Sequence, residues 1–230
     1  MESRISIFHL LKDYSQVKRL LYIRLMPENK YGLKEIPHRS LTEGSDVVIT
    51  YAVLLDINED GVRSIPITKD HLKLIGIPEN QLYKDALQST PRLMPPSITV
   101  MDNQIRDFFY PDAMPLVNHH MLIVSSEQHY YGATSICYKG ILECIAKEEN
   151  SDLFVALPSM NASIVIPDDG TRSAEHVKWL FRGITDSGFL KEGEILSSML
   201  YHFDRSTGTL ETYEIFMQKK EHNVSKFITW

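Results

Sequence analysis

A chain of 230 residues, 43% hydrophobic and 23% charged, is long enough to bury a sizeable core and too aliphatic to stay disordered. Its net charge of −6 is the wrong sign for binding a phosphate backbone, so nucleic acid is not an expected partner. Two cysteines are too few for a stapled scaffold and fit free thiols in a reducing cytoplasm.

Residues 5 to 22 place Ile5, Phe8, Leu11, Val17 and Leu21 at helical spacing, interrupted by charges. That pattern predicts an amphipathic helix and not a secretory leader. No apolar run approaches the length of a membrane span, so a cytoplasmic protein without membrane contact is expected. Pro27 and Gly32 predict an irregular connection. "DVVITYAVLLDI" (46–57) is β-branched and apolar on both faces, which predicts a central strand covered on both sides. "NEDG" predicts a turn and "VRSIPIT" (62–68) a returning strand, with Pro66 placing it at an edge. Thr68 can cap a short helix that Gly76 closes, and Pro78 opens a second helix through about Gln88.

"STPRLMPP" (89–96) holds three prolines and predicts a stiff loop, a possible subdomain junction near 89–97 within a single domain spanning 1–230. "SITVM" is expected as a strand, "NQIRDFFY" as a helix and "PDAMP" as a turn. "MLIVSS" (121–126) then reads as a buried strand, 133–150 as a helix, "DLFVALP" (152–158) and "ASIVIP" (162–167) as strands. Ser173 caps a helix over 173–187 whose apolar face is Ala174, Val177, Leu180, Phe181 and Ile184. A closing hairpin runs from "SSMLYHFDRS" into "TLETYEIF", turning at Thr207-Gly208. The expected class is α+β: a mixed, largely antiparallel β-sheet covered by helices.

The candidate sites gather around residues 116–138. His119, His120 and His129 are the obvious metal candidates, but adjacent strand residues point to opposite faces and no carboxylate or thiol completes a ligand set at usable spacing. No metal and no other cofactor is expected. Cys137 sits between Ile136 and Tyr138 in an apolar stretch, unlike an activated nucleophile. In a helix it would lie two turns, about 10 Å, from Cys144, beyond disulfide reach. "EQHYYGATS" (127–135) has the small residues of an anion-binding turn but no phosphate-loop pattern. "PDDG" (167–170) is first a turn.

Five stretches in order, "KEIPHRSLTEGSDVVITYAVLL", "ITKDHLKLIGI", "ALQSTPRLMPPSI", "MLIVSSEQHYYGATSICYKGILECIAKEENSDLFVALPS" and "GEILSSMLYHFDRSTGTLETY", resemble the domain of unknown function 5688 of gut-associated Firmicutes, over about residues 20–213. The resemblance implies a bacterial cytoplasmic protein, of the accessory genome or a mobile element, and carries no activity or catalytic residue with it. It also implies an N-terminal region that this chain is expected to lack. Where the family tends to show a His-Glu pair, this chain has Met160, Asn161, Ala162 and Ser163.

With no catalytic set legible, the expected function is that of a non-catalytic protein-binding or regulatory protein, in one version an inhibitor of a host defence protein that occludes a protein partner's surface. The alternative is a hydrolase or transferase with a site between the 125–132 and 158–161 loops, because ligands of open sheets sit beyond strand ends. The binding residues proposed on this basis are His119, His120, His129, Tyr130, Tyr131, Ser159 and Asn161.

Overall fold

The apolar run at 47–58 forms the long middle strand of the first of two antiparallel sheets. The fold is that of a computed structural model describing residues 11, 13–58, 61–101, 121–186, 188 and 190–228. Helix α1 (Tyr14–Leu20) leads into β1 (Leu21–Pro27), followed by β2 (His38–Ser40), β3 (Val47–Asn58) and β4 (Gly61–Pro66). β1 pairs along one edge of β3, while β2 and then β4 share its other edge. Leu21, Ile23 and Leu25 of β1 and Val47, Ile49, Tyr51 and Val53 of β3 enter one core. The alternate residues therefore line the opposite face of the sheet.

Thr68 caps α2 (Lys69–Ile75) through the His71 amide, and Gly76 ends it in the left-handed conformation, as its sequence predicts. Helix α3 (Glu79–Leu93) runs further than expected, straight through Pro91. The 89–93 segment is thus helix and not loop, and the reason lies in what its last turns cover. The Thr90 hydroxyl accepts the Ile23 amide at 3.1 Å, and the Ser89 hydroxyl donates to the Leu21 carbonyl. These buried hydroxyls close the open edge of β1, which would otherwise expose unpaired backbone groups.

The second sheet is built from β5 (Pro96–Val100), β6 (Leu122–Ser126), β7 (Asp152–Ser159), β8 (Ala162–Asp168), β9 (Leu200–Asp204) and β10 (Thr209–Thr212), in the order β10-β9-β7-β8-β6-β5. Every ladder among the described residues is antiparallel, so the α+β expectation stands with no parallel pairing. Leu153, Val155 and Leu157 of β7 join the core shared with the first sheet, and Phe154 and Ala156 point the other way. There they meet Val177, Leu180, Phe181 and Ile184 of α5 (Ala174–Asp186). Burial on both faces explains why these strands read as continuous apolar runs. The shared core draws on residues from both sides of 89–97.

Three further expectations need correction. Residues 21–27 are a strand, because the helical rhythm that includes Leu21 stops at Leu20 and period-two alternation takes over. The 133–150 helix is broken: a 3-10 turn over Gly132–Cys137 precedes α4 (Ile141–Glu148), with Gly140 left-handed between them. The final strand stops at Thr212, and α6 (Tyr213–Ile228) begins where "YEIF" was expected to stay extended. The helix expected over 103–110, the "PDAMP" turn, His119 and His120 lie outside the described residues.

Candidate functional site

Arg24 is the one charged residue of β1, whose sequence is otherwise apolar or aromatic. Because Leu21, Ile23 and Leu25 point into the main core, Tyr22, Arg24 and Met26 share the outer face. Across that face Arg24 stands in register with Thr50 of β3, which pairs in turn with His38 of β2. Thr50 is fully buried and donates its hydroxyl to the Arg24 carbonyl at 3.2 Å.

Arg24 is only 9% exposed. Its guanidinium carbon lies 5.4 Å from the centroid of the Tyr131 ring and 6.0 Å from that of Tyr22. Its Nε is buried and has no acceptor among the described residues, and none of their carboxylates forms an ion pair with it. Removing such a charge from water costs several kcal/mol even after relaxation. Two aromatic faces return on the order of 1–2 kcal/mol. The balance leaves a guanidinium whose donors favour an anion.

Tyr22, also fully buried, has a hydroxyl with no hydrogen-bond partner among the described residues. Burial pushes its pKa up, only partly opposed by the nearby Arg24 charge and by Ser64. The hydroxyl stays protonated at neutral pH and keeps a proton to donate.

Tyr131 reaches this place from the loop that follows β6. His129 and Tyr131 both take left-handed backbone, at φ 60° and 50°, a conformation costing side-chain-bearing residues roughly 1–2 kcal/mol each. A set of hydrogen bonds holds it. The His129 amide donates to the Ser126 carbonyl, and the Ser126 hydroxyl to the Tyr130 carbonyl. The Tyr131 amide donates to Asn161 Oδ1 at 3.1 Å, and the Ser125 hydroxyl to the Asn161 carbonyl at 2.7 Å. The Asn161 amide in turn donates to the Ser159 hydroxyl at 3.1 Å. Gly132 sits at the meeting point, where a Cβ would overlap Ser125 Oγ, the Ser126 amide and the Asn161 carbonyl. Only glycine allows that approach.

The 125–132 and 158–161 loops therefore do meet, and Tyr131, Ser159 and Asn161 come together there. The polar groups of Ser159 and Asn161 are engaged with neighbouring backbone, which makes them a buttress for Tyr131. His129 is exposed and Tyr130 half-buried on the same loop. His119 and His120 cannot be placed relative to them. The sequence did not single out Arg24 or Tyr22, although an arginine inside "LLYIRLM" was a legible signal once that stretch was read with period two.

Two other polar clusters are engaged within the fold, although His202 Nδ1 is buried without a hydrogen-bond partner among the described residues. Asp46 and Ser197 line a cleft of about 630 Å³, but Asp46 already accepts from the Ser197 and Tyr201 hydroxyls at 2.6 and 3.1 Å. His202 is buried beneath Phe216 with Nε2 3.2 Å from Asp168. Burial pushes the Cys137 thiol up to about 12, so it is a poor nucleophile at neutral pH; Cys144 is exposed, and both are free. Among the described residues no group of three or more His, Cys, Asp or Glu could hold a metal, and no helix is long and apolar enough to cross a membrane.

A family model described as a family of unknown function, DUF5688, matches residues 2–205, and the chain belongs to that family. No curated protein and no solved structure matches it.

Proposed function

We propose that this DUF5688 member is a non-catalytic, cytoplasmic binding protein that engages a protein partner, and that Arg24 receives an anionic group of what it binds. The observation that carries this reading is the Arg24 guanidinium, 9% exposed and without an ion-pair partner among the described residues. A partnered buried charge is explained by its partner; an unpartnered one is explained by what it recognises. The two tyrosines that flank it and the braced loop that presents Tyr131 pre-set the geometry, which lowers the ordering cost of binding. An inhibitor that occludes a host defence protein is one concrete form of this reading.

The hydrolase or transferase alternative is weaker. It rests on the meeting of the two loops, where Ser125, Ser159 and Asn161 Oδ1 already take part in hydrogen bonds that hold the loops together.

The test is calorimetric titration of the purified chain with acetate, inorganic phosphate and sulfate, repeated on Arg24→Met. Saturable heat with at least one anion, lost in Arg24→Met while cooperative unfolding is retained, is the expected result. No saturable anion binding by the wild-type chain would overturn the reading.

A further inference from the structure

Two buried donors at this site have no protein acceptor among the described residues: Arg24 Nε and the Tyr22 hydroxyl. They belong to neighbours on the same face of one strand, and the Arg24 guanidinium carbon lies 6.0 Å from the Tyr22 ring centroid, so they are close enough to serve one ligand. We infer that the group recognised is a carboxylate, with one oxygen accepting from the Arg24 guanidinium and the other from Tyr22. This rests on the reading of Arg24 as an anion site and names the anion.

Three features select a carboxylate over a phosphate. First, the number of donors matches: a carboxylate offers two oxygens in one plane, and charge-assisted bonds to both fix its orientation. Second, the charge matches. The residues that the strand register places around Arg24 on this face are Tyr22, Met26, Val48, Thr50, Ala52 and His38. None is lysine or arginine, and the His38 ring nitrogen Nδ1 is already engaged at 2.8 Å from the Ile36 carbonyl. One cation suits a monoanion, whereas a phosphate carries up to two charges and three acceptor oxygens. Third, the surroundings are apolar. Tyr22 packs with Ala52, Leu54 and Met94, and Tyr131 packs against that cluster with its ring centroid 6.2 Å from that of Tyr22. The rest of the ligand is therefore an apolar or aromatic body, as in a small aromatic acid or the last residue of a polypeptide.

The experiment compares benzoate, inorganic phosphate, and a pair of short peptides ending in phenylalanine, one with a free carboxylate and one amidated. Each is titrated into wild type, Tyr22→Phe and Arg24→Met. Carboxylate binding stronger than phosphate binding, weakened roughly tenfold in Tyr22→Phe and abolished in Arg24→Met, is expected. Binding of the free-acid peptide but not its amide places the carboxylate at a polypeptide C-terminus. Binding of benzoate with neither peptide places it on a small acid; both results support the inference. Phosphate binding as tightly as carboxylates, or Tyr22→Phe leaving carboxylate affinity unchanged, would overturn the carboxylate assignment while leaving an anion site. Failure of every anion would overturn the site itself. Tyr22→Phe keeps the buried ring, and its unfolding midpoint serves as the control for folding.

Discussion

Two buried charges in this molecule stand in opposite conditions. Asp85 of α3 is 4% exposed, and three groups converge on it: Lys18 Nζ at 2.7 Å, the Tyr14 hydroxyl at 2.5 Å and Gln81 Nε2 at 2.9 Å. Burial pushes its carboxyl upward, but the hydrogen bonds from Gln81, Lys18 and Tyr14 outweigh that and hold it below its usual value. Arg24 is buried nearly as deeply with two aromatic faces and no ion pair among the described residues. The contrast separates architecture from recognition. Asp85 fastens α1 to α3, and its partners account for its place; Arg24 has no such partner among the described residues, which is why we propose that it serves a ligand.

On that distinction, removing Asp85 should destabilise the fold and removing the Arg24 charge should not. Asp85→Ala strands the Tyr14 hydroxyl, Gln81 and the half-exposed Lys18, and should lower stability by roughly 3 kcal/mol, read from the urea midpoint. Gly132→Ala forces the two loops apart at a backbone contact and should cost about 2 kcal/mol, seen as a lower thermal midpoint. It should also weaken anion binding, because Tyr131 loses its brace. Arg24→Met replaces an unpaired charge by an apolar chain of similar length. Without ligand it should be neutral or up to about 1 kcal/mol more stable in the same urea experiment. A loss comparable with that of Asp85→Ala would erase the distinction.

The smallest effect is on the acid limb. Asp85 has a folded pKa below its unfolded value of about 3.9, so its contribution is fully present above that value and disappears as pH falls through the folded pKa. Stability measured from pH 5 to pH 2 should therefore fall less steeply in Asp85→Asn than in wild type. Arg24→Met should leave that slope unchanged, since a guanidinium stays charged throughout.

Much of the fold was legible. The 47–58 strand, the Thr68 cap with its Gly76 stop, the strands at 152–159 and 162–168, and the apolar stripe of α5 all follow from local pattern. They do so because burial on one face or two imposes a period that the sequence must carry. What was not legible depends on distant partners. Pro91 stays inside α3 because Ser89 and Thr90 close the edge of a strand about 67 residues away. Gly140 breaks the 133–150 helix in a stretch whose apolar content reads as continuous. The site divides in the same way. Tyr131, Ser159 and Asn161 sit at strand ends, where a sheet presents its loops, so position alone marked them. Arg24 was hidden because a buried arginine differs from a surface one only in what surrounds it, and those surroundings come from residues 50 and 131.

The most direct test of the account is the side-chain Nε–H resonance of Arg24, assigned by its absence in Arg24→Met and followed by NMR as benzoate is added. A saturable shift of that resonance, with Arg39 and Arg92 unmoved, is the predicted result. If the Arg24 resonance does not move, or moves only linearly with all other arginines, the guanidinium is not a recognition group and the account is wrong at its centre.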